Sequence, residues 1–214
     1  VIILISIIII VIFYFRQLKI KQQTQEIEMS QTLLRTQMNP HFIFNAMSVI
    51  QSYIYENDPT KSSKFLVSFS KLIRLILENS PKEFITIETE IDILDKYLKT
   101  QKLRFENRFD FKITAPEELI FKKVLIPPMI TQPFVENSIE HGQLNIVENG
   151  HIHIEFKQID NMLFVKIEDN GIGRKESAKK KMTNDHKSMA LNITKERVNI
   201  LNKKYKSKAT VEIG

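Results

Sequence analysis

Between residues 41 and 79 two helical patterns follow one another, and both carry more apolar surface than a lone helix can leave in water. In the first, Phe42, Ile43, Phe44, Ala46, Met47, Val49, Ile50, Tyr53 and Ile54 cover most of the circumference. His41, Asn45, Ser48 and Ser52 fall at i, i+4, i+7 and i+11, which leaves one narrow polar stripe headed by His41. NDP at 57–59 signals a turn, and a second helix follows with Phe65, Phe69, Leu72 and Ile76 on one face, flanked by Leu66, Ile73 and Leu77. A hairpin this apolar needs a partner. Doubling it into a dimeric four-helix bundle would bury both faces and keep the polar stripe outside. Pro40, within QMNPHFIFN, predicts a helix break whose bend presents the next residue, His41, rather than burying it. For His41 taken by itself, a capping or core role is the ordinary reading.

The flanking sequence restricts the setting. VIILISIIIIVIFYF opens the chain with Ser6 as its one polar residue. At about 1.5 Å per residue it covers about 22 Å of a hydrocarbon layer about 30 Å thick, so it reads as the end of a membrane-spanning helix. Arg16, Lys19 and Lys21 follow at once, which by the positive-inside tendency places the rest in the cytoplasm. QLKIKQQTQEIEMSQTLLRTQM lacks Gly and Pro and has Ile20, Ile27 and Leu34 seven apart, a partial coiled-coil signal. The absence of cysteine excludes disulfides and cysteine-based zinc sites. The net charge of +6 comes largely from KKK at 179–181 and NKKYKSK at 202–208, where aromatic residues are not interleaved as nucleic-acid binding would require.

After SP at 80–81 the pattern changes. A third helix is expected over roughly 88–105, FDFKIT at 109–114 alternates as a strand, and Ile152, Ile154 and Phe156 pair with Leu163, Val165 and Ile167 in an antiparallel hairpin turned by IDN at 159–161. Helices covering such a sheet give an α+β domain. Two segments there carry chemistry. In FVENSIEHG, helical spacing puts Asn137 and His141 on one face, with Gly142 at a C-cap position; an amide oxygen suits Mg²⁺ and an imidazole can donate to phosphate. EDNGIGR at 168–174 sets Asp169 at a strand end, followed by Gly171 and Gly173, which permit close backbone approach to a ligand. NG after a strand is also an ordinary hairpin turn, and no GK[ST] makes it a P-loop. His151 and His153 lie on the polar face of a strand and lack the further ligands a metal site needs.

The succession NPHFIFN, LIPPMITQPFVENSIEHG and DNGIGR resembles the LytS/YehU-like family of bacterial sensor histidine kinases, from about Thr36 to about Leu201, and YLKTQKLRFENRF at 97–109 resembles its linking helix. The resemblance implies the end of a transmembrane helix at 1–16, a helical linker at 17–36, a dimerisation and phosphotransfer hairpin at 37–80, a linking helix at 81–108, and a GHKL (Bergerat) α/β sandwich ATP-binding domain from 109 to 214 that is incomplete at its C-terminus. It further implies ATP and Mg²⁺ as cofactors, a homodimer anchored in the bacterial inner membrane, and a response regulator as partner. His41 matches the phospho-accepting histidine, Asn137 the Mg²⁺-binding asparagine and Asp169 the carboxylate that receives the adenine amino group. Gly171 and Gly173 match the glycines beside the nucleotide, and His141 lies where it can reach phosphate. Asn45, one turn beyond His41, suits either orienting a water for dephosphorylation or simple packing.

The sequence departs from the family at three points. SMALNI puts Ser188 and Ala190 where glycines of a GxGLxN segment are expected, Phe42 stands where an acid would follow the histidine, and the chain stops at VEIG before the family's last strand. The first departure favours a catalytically weak ATP-binding scaffold as the alternative. A hydrolase of the gyrase or chaperone type would need a glutamate four residues before Asn137, and Pro133 is there. RKESAKKKMTNDHKS at 174–188, polar and without periodicity, reads as a lid over the phosphates.

Overall fold

The computed structural model describes residues 12–14, 16, 17, 19, 40–160, 162–173 and 187–212, and for residues 40, 41, 141 and 187–193 it describes the backbone alone. The chain divides into two compact units, Val1–Ile43 and Phe44–Gly214. In the first unit residues 12–14 are helical, and Phe13 is exposed. Most of the expected membrane segment and nearly all of the 17–36 linker lie outside the described residues. Among the described residues no helix is long and apolar enough to cross a membrane.

Helix α1 runs Pro40–Tyr55. The break expected ahead of Pro40 lies outside the described residues. The NDP turn forms as its composition predicts: Asn57 takes a φ of 55°, and Asp58 caps helix α2, Pro59–Asn79, by accepting from the Lys61 N–H at 2.9 Å. Pro59 occupies the first turn, where its missing N–H costs nothing. Phe65, Phe69, Leu72 and Ile76 are buried, as their spacing requires, and the Tyr53 ring meets Phe65 edge-on at 6.4 Å.

Much of that face is covered within the chain. Helix α3, Ile87–Arg104, packs along α2, where the Ser68 and Thr100 hydroxyls share a hydrogen bond of 3.0 Å, and the Tyr53 hydroxyl donates to the Leu103 carbonyl at 3.1 Å. The sequence alone sends this surface to a second copy of the hairpin; within one chain the linking helix covers part of it. The flanking residues stay unpartnered, with Leu66 and Leu77 about half exposed along an open groove of 580 Å³ that Met47 and Ile73 also line.

Thr86 caps α3 through the Thr89 N–H, Glu88 and Glu90 sit in its first turn and Lys102 and Arg104 in its last, an arrangement that complements the helix dipole. The short strand β1, Ile85–Thr86, pairs antiparallel with β3, Leu125–Ile126. Strand β2, Phe109–Thr114, runs parallel to β4, Gly150–Ile159, and β4 is antiparallel to β5, Met162–Asp169, giving the order β2-β4-β5. Ile152, Ile154 and Phe156 are fully buried and Leu163, Val165 and Ile167 half-buried, so the predicted hairpin has the predicted inner face. Helix α4 is Glu117–Phe121, α5 is Gln132–His141 and α6 is Lys187–Tyr205; α5 packs against both β5 and α6. The described domain is α+β, with a mixed sheet of the kind a GHKL domain contains.

Candidate functional site where helix α5 meets the end of strand β5

Val135 and Ile139 are buried on α5 at 0% and 1% exposure, which orients the rest of the helix. Asn137 is half-buried, and its Nδ2 donates to the Pro133 carbonyl at 2.8 Å. Its Oδ1 is therefore the atom with which it can ligate. His141 is the last residue of α5, and its side chain lies outside the described part. Gly142 follows as the C-cap, but with a right-handed φ of −66°; the left-handed residue is Gln143, at 52°. Glycine is needed at 142 for space rather than for handedness. A Cβ there would overlap the Ser138 carbonyl oxygen and lie 3.1 Å from Asp169 Oδ1.

The EDNGIGR segment does not make the hairpin turn that NG alone suggests. It folds back onto the end of α5. The Ile172 N–H donates to the Gly142 carbonyl at 3.0 Å, and Asp169 Oδ1 accepts from the Gly171 N–H at 3.0 Å. Asn170 ties the turn to the start of β4: its Oδ1 accepts from the His151 N–H at 2.6 Å and its Nδ2 donates to the Asn149 carbonyl at 2.9 Å. A Cβ on Gly171 would lie 2.5 Å from the Gly142 oxygen, so the space left by that glycine is filled by the chain itself, not held for a ligand. Gly173 is different, with a φ of 75° and, among the described residues, nothing within 4 Å of where a Cβ would stand. The Asp169 carboxylate remains exposed at the strand end.

Gly142, Asp169 and Gly171 thus meet at the end of the helix that carries Asn137. His41 is in α1, with its side chain outside the described part, and Asn45 on the same helix is half-buried. Of the polar stripe, Ser48 donates to the Phe44 carbonyl and Ser52 to Glu56, each at 3.0 Å. Residues 174–186 of the expected lid, including Lys179, Lys180 and Lys181, lie outside the described residues. Ser188 and Ala190 have helical backbone within α6. His153 shares a hydrogen bond of 3.0 Å with the Thr114 hydroxyl.

Sequence reasoning missed Glu90. Its carboxylate is completely buried and accepts from the Met129 N–H at 2.8 Å, the Thr131 N–H at 3.3 Å and the Thr131 hydroxyl. Burial pushes its pKa up, and these hydrogen bonds, with the nearby Arg197 charge, oppose the rise. Arg197, on α6, donates from Nη1 to the Pro128 carbonyl at 2.8 Å, and burial lowers its pKa. The detectable signal was an acid at 90 on the same helix face as Leu94 and Tyr97, a face otherwise apolar. Glu136, the neighbour of Asn137 on α5, lies within electrostatic reach of Arg104 and Tyr97 of α3.

The donor set suits a nucleotide with its divalent cation. Asn137 offers a hard amide oxygen, and Asp169 a carboxylate that can accept from an exocyclic amine. Among the described residues no group of three or more His, Asp or Glu side chains could hold a metal ion.

A histidine kinase family model matches residues 29–109. The sensor histidine kinase BtsS of Escherichia coli is 36% identical over 138 residues, covering 64% of this chain and 24% of that protein. The sensor protein LytS of Staphylococcus epidermidis is 33% identical over 140 residues, covering 65% of this chain and 23% of its own length. LytS of Bacillus cereus is 30% identical over 143 residues, 67% of this chain and 24% of that protein. The chain spans about a quarter of the length of these curated relatives.

Proposed function

We propose, for a chain that belongs to the LytS/YehU-like histidine kinases, that the whole protein is an ATP-dependent protein-histidine kinase of a two-component system. It would act as a homodimer anchored in the bacterial inner membrane, with its catalytic part in the cytoplasm. The observation that carries this reading is the hydrogen bond from Ile172 to Gly142, which sets the Asp169 turn against the end of the Asn137 helix in a chain with these relatives.

In this reading Asp169 receives the adenine amino group, Gly173 leaves room beside the nucleotide, and His141 reaches phosphate. Asn137 holds Mg²⁺ through Oδ1; the ion, when bound, neutralises phosphate charge. His41 supplies the nucleophile, since a neutral imidazole with an ordinary pKa of about 6.5 has a free lone pair near pH 7. Its nitrogen forms the new bond to the γ-phosphorus as the bond to the bridging oxygen breaks, and ADP leaves. The phosphoryl group then passes to an aspartate of a response regulator, and Asn45 orients a water for its later loss.

The test uses the whole protein with γ-labelled ATP and Mg²⁺. An acid-labile, alkali-stable label on His41 is expected, absent from His41→Gln while ATP binding persists. A label stable in acid, or retained in His41→Gln, overturns the assignment of His41. No label with intact ATP binding replaces the kinase by the scaffold that Ser188 and Ala190 favour.

A further inference from the structure

The segment Pro128–Thr131 joins three elements. It leads directly into α5, the helix of Asn137; its Met129 and Thr131 N–H groups are held by Glu90 of α3; and its Pro128 carbonyl is held by Arg197 of α6. Met129 has a φ of 55°, a left-handed conformation uncommon for a residue with a long side chain, so the segment is held in a shape it would rarely take unaided. Met129 is 3% and Thr131 4% exposed. Water is thus unavailable to the N–H groups that Glu90 receives, and nothing but a buried acceptor can satisfy them. A carboxylate fully removed from solvent is costly to keep unless it is fully hydrogen-bonded, as here. Leu94 and Tyr97 are buried on the same face of α3.

We propose that Glu90 is a positioning residue for the nucleotide site: by holding the Pro128–Thr131 segment it sets the start of the Asn137 helix and, through the Pro128–Arg197 bond, the place of α6. Since α3 also accepts the Tyr53 hydroxyl at Leu103, the same helix joins the hairpin to this segment. Any displacement of α3 along its axis would move Glu90 relative to Met129 and Thr131, and nucleotide affinity would follow. Glu90 itself touches no nucleotide. The inference deepens the kinase reading and rests on it.

The test compares the full chain with Glu90→Gln, Thr131→Val and Leu94→Ala, measuring Kd for Mg·ATP by calorimetry well below each variant's Tm. Glu90→Gln turns an amide N–H toward groups that are themselves donors, and Thr131→Val removes the hydroxyl that reaches Glu90. Each should raise Kd by about tenfold, the scale of a lost charge-assisted hydrogen bond, and the double variant should be no weaker than the stronger single one. Leu94→Ala leaves a cavity on the same face of α3 and should lower Tm while leaving Kd within about twofold of the parent. If Glu90→Gln and Thr131→Val lower Tm but bind as the parent does, or if Leu94→Ala weakens binding as much as they do, Glu90 is structural only and the proposal is overturned. Should Glu90→Gln fail to fold, Thr131→Val against Leu94→Ala decides the matter by the same criterion. A parent that binds no Mg·ATP overturns the nucleotide reading itself, an outcome separate from equal binding by parent and variants.

Discussion

Gly142 and Gly171 meet backbone to backbone: the next residue after Gly171 donates to the Gly142 carbonyl, and a side chain on either glycine would collide with main-chain atoms. The approach joins the end of α5 to the turn that carries Asp169. It makes the two glycines of DNGIG unequal, because Gly171 is enclosed by its own chain, whereas Gly173, with a φ of 75°, has no described residue within 4 Å of a Cβ position.

Gly171→Ala should therefore push the turn off Gly142 and cost about 1–3 kcal/mol, as overpacking does. Gly173→Ala meets no atom of the described residues and should cost about 1 kcal/mol for its left-handed backbone. Urea unfolding of both variants checks the order, and equal losses would contradict it.

Asn137 and Asp169 carry different jobs in the proposed site. Asn137→Ala should weaken the Mg²⁺-dependent part of ATP affinity by about tenfold, the value of one good ligand contact. Asp169→Ala should remove the preference for ATP over GTP and leave both weak. Calorimetry with each nucleotide, with and without Mg²⁺, separates the two; parental binding by both variants would exclude this nucleotide site.

Tyr53→Phe deletes the hydroxyl that joins α1 to the end of α3 and keeps the ring against Phe65. The Leu103 carbonyl keeps the Glu106 N–H at 3.2 Å, so the loss is that of one neutral hydrogen bond and not of an orphaned acceptor. A loss of about 0.5–1.5 kcal/mol is expected, with the helical circular dichroism signal unchanged.

Asp58 has its pKa lowered, chiefly by the hydrogen bond from the Lys61 backbone N–H. A carboxylate whose folded pKa is depressed stabilises the fold above its unfolded pKa, and that contribution is lost as pH falls through the folded value. Asp58→Ala should thus lower Tm at neutral pH, and the difference should begin to shrink near about pH 4, the ordinary aspartate value, and vanish as pH falls through the lower folded value. A difference in Tm that persisted unchanged at pH 2 would show that the cap does not act through its charge.

Local periodicity was enough for most elements. The third helix expected over roughly 88–105 runs Ile87–Arg104, FDFKIT is a strand from Phe109 to Thr114, and the hairpin turns at Asp160 within IDN, because each of these depends on neighbours a few residues apart. The capping by Asp58 was signalled by the NDP turn for the same reason. Long-range contacts were not so legible. The parallel pairing of Phe109 with Gly150 joins residues whose own alternation says only that each lies in a strand. That α3 covers part of the α2 face, where the hairpin alone called for a second copy, depends on how the chain returns after residue 80.

The candidate site divides along the same line. Residue type and spacing named Asn137, Gly142, Asp169, Gly171 and Gly173, since an amide, a carboxylate and small residues at fixed offsets are visible one by one. That Gly171 serves Gly142 rather than a ligand, that Asn170 fastens the turn to His151, and that Glu90 is an acceptor for Met129 and Thr131 were decided only when the chain folded. A helical pattern specifies which face turns inward; the donors and backbone atoms that face then meets come from segments 19 to 41 residues away in the chain, and no local rule carries that information.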